Sequence, residues 1–415
     1  MRRLKRQTSR RHFLQTAVST AAAGMASTAS ARPRSLGGLK ITGIKTYKFS
    51  TYSGKPWLYL KIETNSEISG WGEGSGEWLV EPVEATLRNW IPLLVDRNPL
   101  QVVELTEDIQ NRIPWKGGPV FGTAIAAINS ALYDIAGKAW GVPVHMILGG
   151  KRRDRVRVYT GASLFESPEK AAEAARRTVD NGYTAMKSVP LEARTRPMDE
   201  RVLEHCVKCL AAARQAVSSE TDILLDTHGS PTPELSLEFS RRIAPYRPLF
   251  LEEPVKVGSV AALLAVSRRS PVPIATGEKL FTLRDFRPLI DQRACAFLQP
   301  DLSHSFGISH ILDIAAAAEE AQMLMALHMT GGPLAYAASL TADSVMNNFL
   351  IQETHGFDYF HRYADHDWTI QDGYVNVSDR PGLGIEVKEP DIAKLPYQPY
   401  PFRQYRHADG SWKGW

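Results

Sequence analysis

ILLDTH at residues 223–228, LFLEEP at 249–254 and PIATGE at 273–278 each carry a short apolar stretch into a carboxylate. The three acids, Asp226, Glu252 and Glu278, stand 26 residues apart, the length of one strand, one helix and the loops that join them. Acidic side chains therefore end three successive parallel strands. In a (β/α)₈ barrel the C-terminal strand ends form the active-site face, and three carboxylates gathered there repel one another unless a cation lies between them. Ligation by oxygen alone suits a hard divalent ion, Mg²⁺ first.

The rhythm continues through FLQPD (297–301), ending at Asp301, MLMALH (323–328), ending at His328, and NFLIQE (348–353), ending at Glu353. Upstream, YTAMKSV (183–189) presents Lys187, and RVRVYTGA (155–162) opens the series. Eight strand-like runs thus lie between residues 155 and 353. Residues 166–180, 200–217 and 307–322 show the apolar spacing and cap signals of intervening helices. This alternation predicts a parallel α/β barrel. An open doubly wound sheet would gather its polar residues at one switch point, not at nearly every strand end.

Residues 38–150 form a separate α+β unit. The alternating runs ITGIKTYKF and WLYLKIET precede a Gly-rich turn at Gly70-Trp71-Gly72-Glu73-Gly74, after which the pattern becomes helical. The barrel occupies 151–373. A strand-like piece, YVNVSDRPGLGIEV, lies in a return segment at 374–390 that packs back on the first unit, and the Pro- and aromatic-rich tail at 391–415 has no assignment. Residues 1–31 hold six Lys/Arg and no acid, the twin-arginine pattern Ser9-Arg10-Arg11-His12-Phe13-Leu14, and a small-residue cleavage pattern at Ala29-Ser30-Ala31. They are expected to export the chain to the periplasm. The stretch after the arginines is too short and too rich in Ser and Thr for a stable membrane span. Without these residues the remaining 43 basic side chains (49 less six) face 45 acidic ones, a net of −2 that points to no nucleic-acid partner. Cys206 and Cys209, one helical turn apart, read as small buried hydrophobes.

AIAAINSALYDIAGKAWGVPVHMILGG (124–150) resembles the linker signature of the enolase superfamily, and the order Asp226, Glu252, Glu278, Asp301, His328, Glu353 is similar to that of its mandelate racemase subgroup. The resemblance implies an N-terminal capping domain over a modified TIM barrel, one Mg²⁺ held by Asp226, Glu252 and Glu278, and a substrate whose carboxylate chelates that ion. It also implies a homo-oligomer.

Removing a proton α to a carboxylate creates an enediolate, whose second negative charge a divalent cation stabilises. His328 is the expected general base, oriented by Asp301 and favoured by it in the protonated form. Glu353 is expected on the opposite side of the substrate carboxylate. In Asp226-Thr227-His228, strand alternation sets a second imidazole on the face of a metal ligand, placed to protonate a departing β-hydroxyl. This Asp-x-His resembles the dehydratases of sugar acids such as galactonate, gluconate or mannonate. Racemases of the subgroup are expected to carry Lys-x-Lys on the second strand; here it reads Lys187-Ser188-Val189, so the opposite-face base is missing, and Lys187 is expected to bind a substrate oxygen. The expected function is dehydration of an acid sugar (an aldonate) to a 2-keto-3-deoxy acid. The alternatives are epimerisation or racemisation, another hydroxy-acid dehydration, or periplasmic sugar-acid binding without turnover.

Overall fold

The computed structural model describes residues 38–191, 200–357, 359–402, 406 and 410. The export signal expected at 1–31 lies outside these residues. Three antiparallel strands, β1 (Ile41–Ser50), β2 (Pro56–Thr64) and β3 (Ser69–Glu73), pair in that order. Helices α1 (Val80–Leu94), α2 (Val102–Asn111) and α3 (Pro119–Trp140) follow. By length and composition α3 is apolar enough to cross a membrane, yet 89% of its apolar window is buried in the protein. Its apolar circumference is that of a core helix surrounded on all sides.

The Gly-rich run at 70–74 is not the expected turn, because most of it is strand β3. Its glycines answer to packing. A Cβ on Gly72 would lie 1.9 Å from the carbonyl oxygen of Ala127, and one on Gly70 would lie 2.1 Å from that of Ala131. The α3 backbone thus rests directly on the strand, which only residues without a side chain permit.

After a short helix α4 (Val144–Ile147) the chain enters eight parallel strands: β4 (Arg155–Gly161), β5 (Ala185–Ser188), β6 (Asp222–Asp226), β7 (Leu251–Glu252), β8 (Ile274–Thr276), β9 (Phe297–Leu298), β10 (Leu324–Met325) and β11 (Gln352–Thr354). β11 pairs with β4, and the Leu350 N–H donates to the Met325 carbonyl at 2.8 Å, which closes the barrel. Seven helices link the strands: α5 (Pro168–Asp180), α6 (Glu200–Ala216), α7 (Pro233–Ile243), α8 (Val260–Ser267), α9 (Leu283–Asp291), α10 (Ile308–Glu320) and α11 (Pro333–Val345). The Ser167, Thr232, Ser259 and Thr282 side chains cap four of them, each accepting a backbone N–H of the first turn.

Only short helical turns, at Phe360–Arg362 and Glu389–Ile392, follow β11 among the described residues. The chain instead forms β12 (Ala364–Asp365), β13 (Ile370–Gln371) and β14 (Tyr374–Asn376), then β15 (Glu386–Val387), which pairs with β12. The return segment departs from expectation at its start, since β14 pairs antiparallel with β4 of the barrel, not with the first domain. Only farther on does it reach that domain: the Leu383 N–H donates to Asp134 on α3 at 3.0 Å, and Glu389 pairs with Lys61 at 2.7 Å. The tail also gains a place. The Pro396 carbonyl accepts from the Ser50 N–H at 2.8 Å, the Tyr397 hydroxyl donates to Glu81, and the Pro401 carbonyl accepts from the Trp78 indole at 3.2 Å.

Cys206 and Cys209 are buried free thiols, as is Cys295, whose pKa burial pushes up to about 12. The close rest of α3 on β3 has a measurable consequence. Gly72→Ala is expected to cost about 3 kcal/mol or more, because the new methyl group meets backbone that cannot yield. Denaturant unfolding checks it, and a loss below about 1 kcal/mol would show that the helix can slide away.

Candidate active site

The barrel interior is plugged by Tyr159, Ala185, Leu224, Phe250, Ala326 and Ile351, all with zero exposure. Strand side chains alternate, so two residues on, about 6–7 Å farther toward the C-terminal rim, the same inward direction is taken by a polar residue. Ala185 leads to Lys187, Leu224 to Asp226, Phe250 to Glu252, Ala326 to His328 and Ile351 to Glu353. A packed apolar layer thus forms the floor of a polar ring. Glu278 breaks the count, standing three residues beyond the inward Ala275. Gly277 absorbs the extra residue at φ +146°, where an added Cβ would lie 2.9 Å from the Gln299 nitrogen.

Carboxylate oxygens of Asp226, Glu252 and Glu278 all lie within 4.8 Å of one another, placed so that they could hold a metal ion. At such separations each pair of negative charges costs roughly 3–4 kcal/mol at an effective dielectric near 20. Asp226 Oδ2, Glu252 Oε2 and Glu278 Oε2 are buried without a protein hydrogen bond, although His228 Nε2 lies 3.0 Å from Asp226 Oδ2 as an ion-pair contact. Orphaned, buried oxygens from three carboxylates fit a hard divalent cation.

Two lysines reach the ring: Lys279 Nζ lies 3.2 Å from Glu278 Oε1 at its edge, and Lys187 enters it. Lys187 Nζ lies 3.2 Å from Glu252 Oε1, 3.0 Å from Glu353 Oε1 and 3.7 Å from Asp226 Oδ2. Burial pushes its pKa down, but the surrounding carboxylates, Glu252 and Glu353 foremost, hold it well above the usual lysine value. Lys187, expected to bind a substrate oxygen, lines the cavity with its ammonium engaged by three acids. Burial and the Asp226 charge raise the Glu252 pKa well above the usual range. Glu278 goes the other way: burial raises it, but His328, Lys279 and Lys187 pull it down to about 2.

His328 Nδ1 lies 2.9 Å from Asp301 Oδ2, so Asp301 accepts the Nδ1 proton and Nε2 is left toward Glu278 Oε2, 3.5 Å away. Asp301 is itself held by the Ser303 N–H at 2.7 Å. Burial pushes the His328 pKa down, but Glu278 and Asp301 overcome it and raise the imidazole to about 10. Glu353 accepts from the Met329 N–H at 3.2 Å, and His355 Nε2 donates to the Met329 carbonyl at 2.7 Å.

His228 reaches the site by another route than strand alternation. β6 ends at Asp226, and His228 sits in a left-handed turn at φ +48°, its N–H donating to Asp226 Oδ1 at 2.8 Å. The Thr227 hydroxyl pins that turn to the carbonyl of Glu253 at 2.7 Å. Glu253 pairs with Lys279. A cavity of about 800 Å³ opens above, lined by Lys187, Asp226, His228, Glu278, His328 and Glu353. Glu252 and Asp301, 0% and 1% exposed, lie beneath its surface.

The first domain adds Lys55, Glu77 and Trp78 to the cavity wall. No spacing signal in the sequence marks these side chains. Trp57 is buried packing and Trp115 is 83% exposed. Removing Lys187 tests the balance of charge in the ring. Lys187→Met is expected to lower the stability of metal-free protein by roughly 3–5 kcal/mol, since it strips buried carboxylates of their partner. It should also increase the stabilisation gained on adding a divalent cation. Thermal unfolding with and without Mg²⁺ checks both signs, and equal metal stabilisation in the two proteins would place Lys187 outside the ring's charge balance.

Residues 43–149 match the mandelate racemase/muconate lactonizing enzyme N-terminal domain, and residues 170–392 match the enolase C-terminal domain-like family. A D-galactonate dehydratase from Variovorax paradoxus is 34% identical over 387 residues, covering 91% of this chain and 100% of that protein. Another from Ralstonia nicotianae is 32% identical over the same shares. Among solved structures, an enolase from Agrobacterium radiobacter bound to Na and L-malate superposes with a TM-score of 0.83 at 26% identity, covering 90% of this chain and 99% of that one. A member of the enolase superfamily from Salmonella Typhimurium gives 0.82 at 26% identity, covering 86% and 98%. With both domains matched and the acidic ring in one cavity, the chain belongs to the enolase superfamily, in its mandelate racemase/muconate lactonizing enzyme branch.

Proposed function

We propose that the protein is a Mg²⁺-dependent hydro-lyase that converts a sugar acid of the galactonate class to a 2-keto-3-deoxy acid. The observation that carries this reading is the pair of imidazoles at one acidic triad: His328, backed by Asp301, and His228, on the turn that follows Asp226. The relatives named D-galactonate dehydratase support the substrate class. Bound by Asp226, Glu252 and Glu278, Mg²⁺ would supply positive charge against the charge that develops on the substrate carboxylate.

The chain's own groups divide the remaining work. Glu278 holds the proton of His328 Nε2 in the metal-free ring and would release it once Glu278 binds a cation. His328 Nε2 then takes the α-proton, and the Asp301 carboxylate stabilises the imidazolium that forms. His228 gives a proton to the hydroxyl on the neighbouring carbon, which leaves as water. The enol that remains tautomerises to the keto acid, so proton and oxygen balance without any oxidant. Glu353, fixed by Lys187 and the Met329 N–H, borders the same cavity. Val189 stands where a two-base racemase would need its second lysine, which favours elimination over inversion.

Screening Mg²⁺-loaded protein against aldonic acids, with D-galactonate first, tests the reading through 2-keto acid release and solvent deuterium incorporated at the α-carbon. His328→Asn is expected to abolish both signals. His228→Asn is expected to lower keto-acid release at least a hundredfold while α-deuteration persists, and chelation of the metal should silence all of it. Deuterium exchange with no keto acid from any substrate would replace dehydration with epimerisation, and silence in both readouts would sink the enzymatic reading.

We also propose that residues 1–31 direct folded, metal-loaded protein through twin-arginine export. Cell fractionation of Arg10→Lys/Arg11→Lys should retain the protein in the cytoplasm, and unchanged periplasmic recovery would refute it.

A further inference from the structure

We infer that Glu73, at the end of β3 in the first domain, is a positioning residue for proton abstraction: it clamps the far end of the loop that carries His328. The inference rests on His328 as the base. Glu73 is 3% exposed, and its carboxylate accepts from the Gly332 N–H at 2.6 Å and from the Ala335 N–H at 3.0 Å. These N–H groups belong to the N-terminus of α11, which has no side-chain cap from its own sequence. A helix start leaves such donors unsatisfied and favours negative charge. Here the cap comes from another domain, 259 residues earlier in the chain.

Only Met329, Thr330 and Gly331 separate His328 from Gly332. The near end of this run is held by the barrel: Asp301 on His328, Glu353 on the Met329 N–H, and His355 on the Met329 carbonyl. The far end is held by the first domain. Trp57 closes over it, since a Cβ on Gly332 would lie 2.8 Å from the Trp57 ring and 3.0 Å from Glu73 Oε1. Two consecutive glycines give the loop wide backbone freedom, so its geometry depends on what grips it from outside. The helix beyond needs no such grip, because all 13 of its residues are buried. Glu73 therefore acts on the loop ahead of α11, and through it on where His328 Nε2 points. A displacement of about 1 Å at a reacting group can cost about a hundredfold in rate.

Glu73→Gln tests this, because one amide can accept one N–H but must confront the other with its own. Solvent-deuterium incorporation at the substrate α-carbon, which reads the His328 step alone, is expected to fall at least tenfold. The turnover number should fall in parallel, with KM and Mg²⁺ affinity within about twofold of the parent. Amide exchange resolved to single residues should show Gly332 and Ala335 losing protection while the β6 and β7 amides keep theirs. Glu73→Asp, with the charge retained but withdrawn, should repeat the pattern if the Gln variant does not fold. Unchanged α-deuteration overturns the proposal. So does a fall matched by equal loss of Mg²⁺ affinity and of protection throughout the barrel, which would mark a general structural role. If the parent exchanges no substrate proton, the reading of His328 as base fails. Amide exchange then decides the clamp alone, and unchanged protection at Gly332 and Ala335 overturns it.

Discussion

The convergence of carboxylates at the barrel rim is the constraint to which the rest of the structure answers. Asp226, Glu252 and Glu278 crowd into a space where any two charges cost several kcal/mol, and Glu353 joins them through Lys187. No chain assembles such a ring for stability, since apolar side chains of equal volume would serve better. The charges are held by a fixed lysine among them, by imidazoles at their edge, and by an oxygen cage shaped for a cation. Glu252 and Glu278, neighbours in the same triad, are pushed in opposite directions because Asp226 and burial dominate one while His328 and Lys279 dominate the other.

The barrel supports this tension from below and from the side. Its apolar interior stops two residues short of the ring on five strands, so the alternation that packs the floor also aims the functional groups. Where alternation alone would misdirect a side chain, the backbone leaves the strand. Gly277 turns Glu278 inward, and the left-handed turn at His228 brings its imidazole back over Asp226. Such conformations are costly and persist only where surrounding contacts over-determine them, as the Thr227 hydroxyl does here.

The first domain does more than cover the cavity. Its core helix lies on β3 so closely that glycine is required at 70 and 72, and the end of that strand carries Glu73 to the start of α11. The C-terminal tail crosses back to hold Trp78, which lines the cavity. Segments near both ends of the described chain thus shape one site that the barrel strands define.

The barrel, its eight strands and five of the candidate site residues, Lys187, Asp226, Glu252, His328 and Glu353, were legible in the sequence through local periodicity: a polar residue two steps past a buried one, repeated at the length of a βα unit. Glu278 and His228, by contrast, reach the site through backbone that leaves the strand. The nature of the Gly-rich run was not legible, since a strand glycine required by a neighbouring helix looks the same as a turn glycine. Nor could sequence show Lys187 as counter-ion to three acids, or Glu73 as the cap of a helix 259 residues away, because those partners meet only after folding. On five strands the sequence by itself determined which side chains face the barrel mouth, since alternation is a property of each strand alone. Tertiary structure decided their charge, their partners and their aim, because these depend on burial and on groups brought from distant parts of the chain.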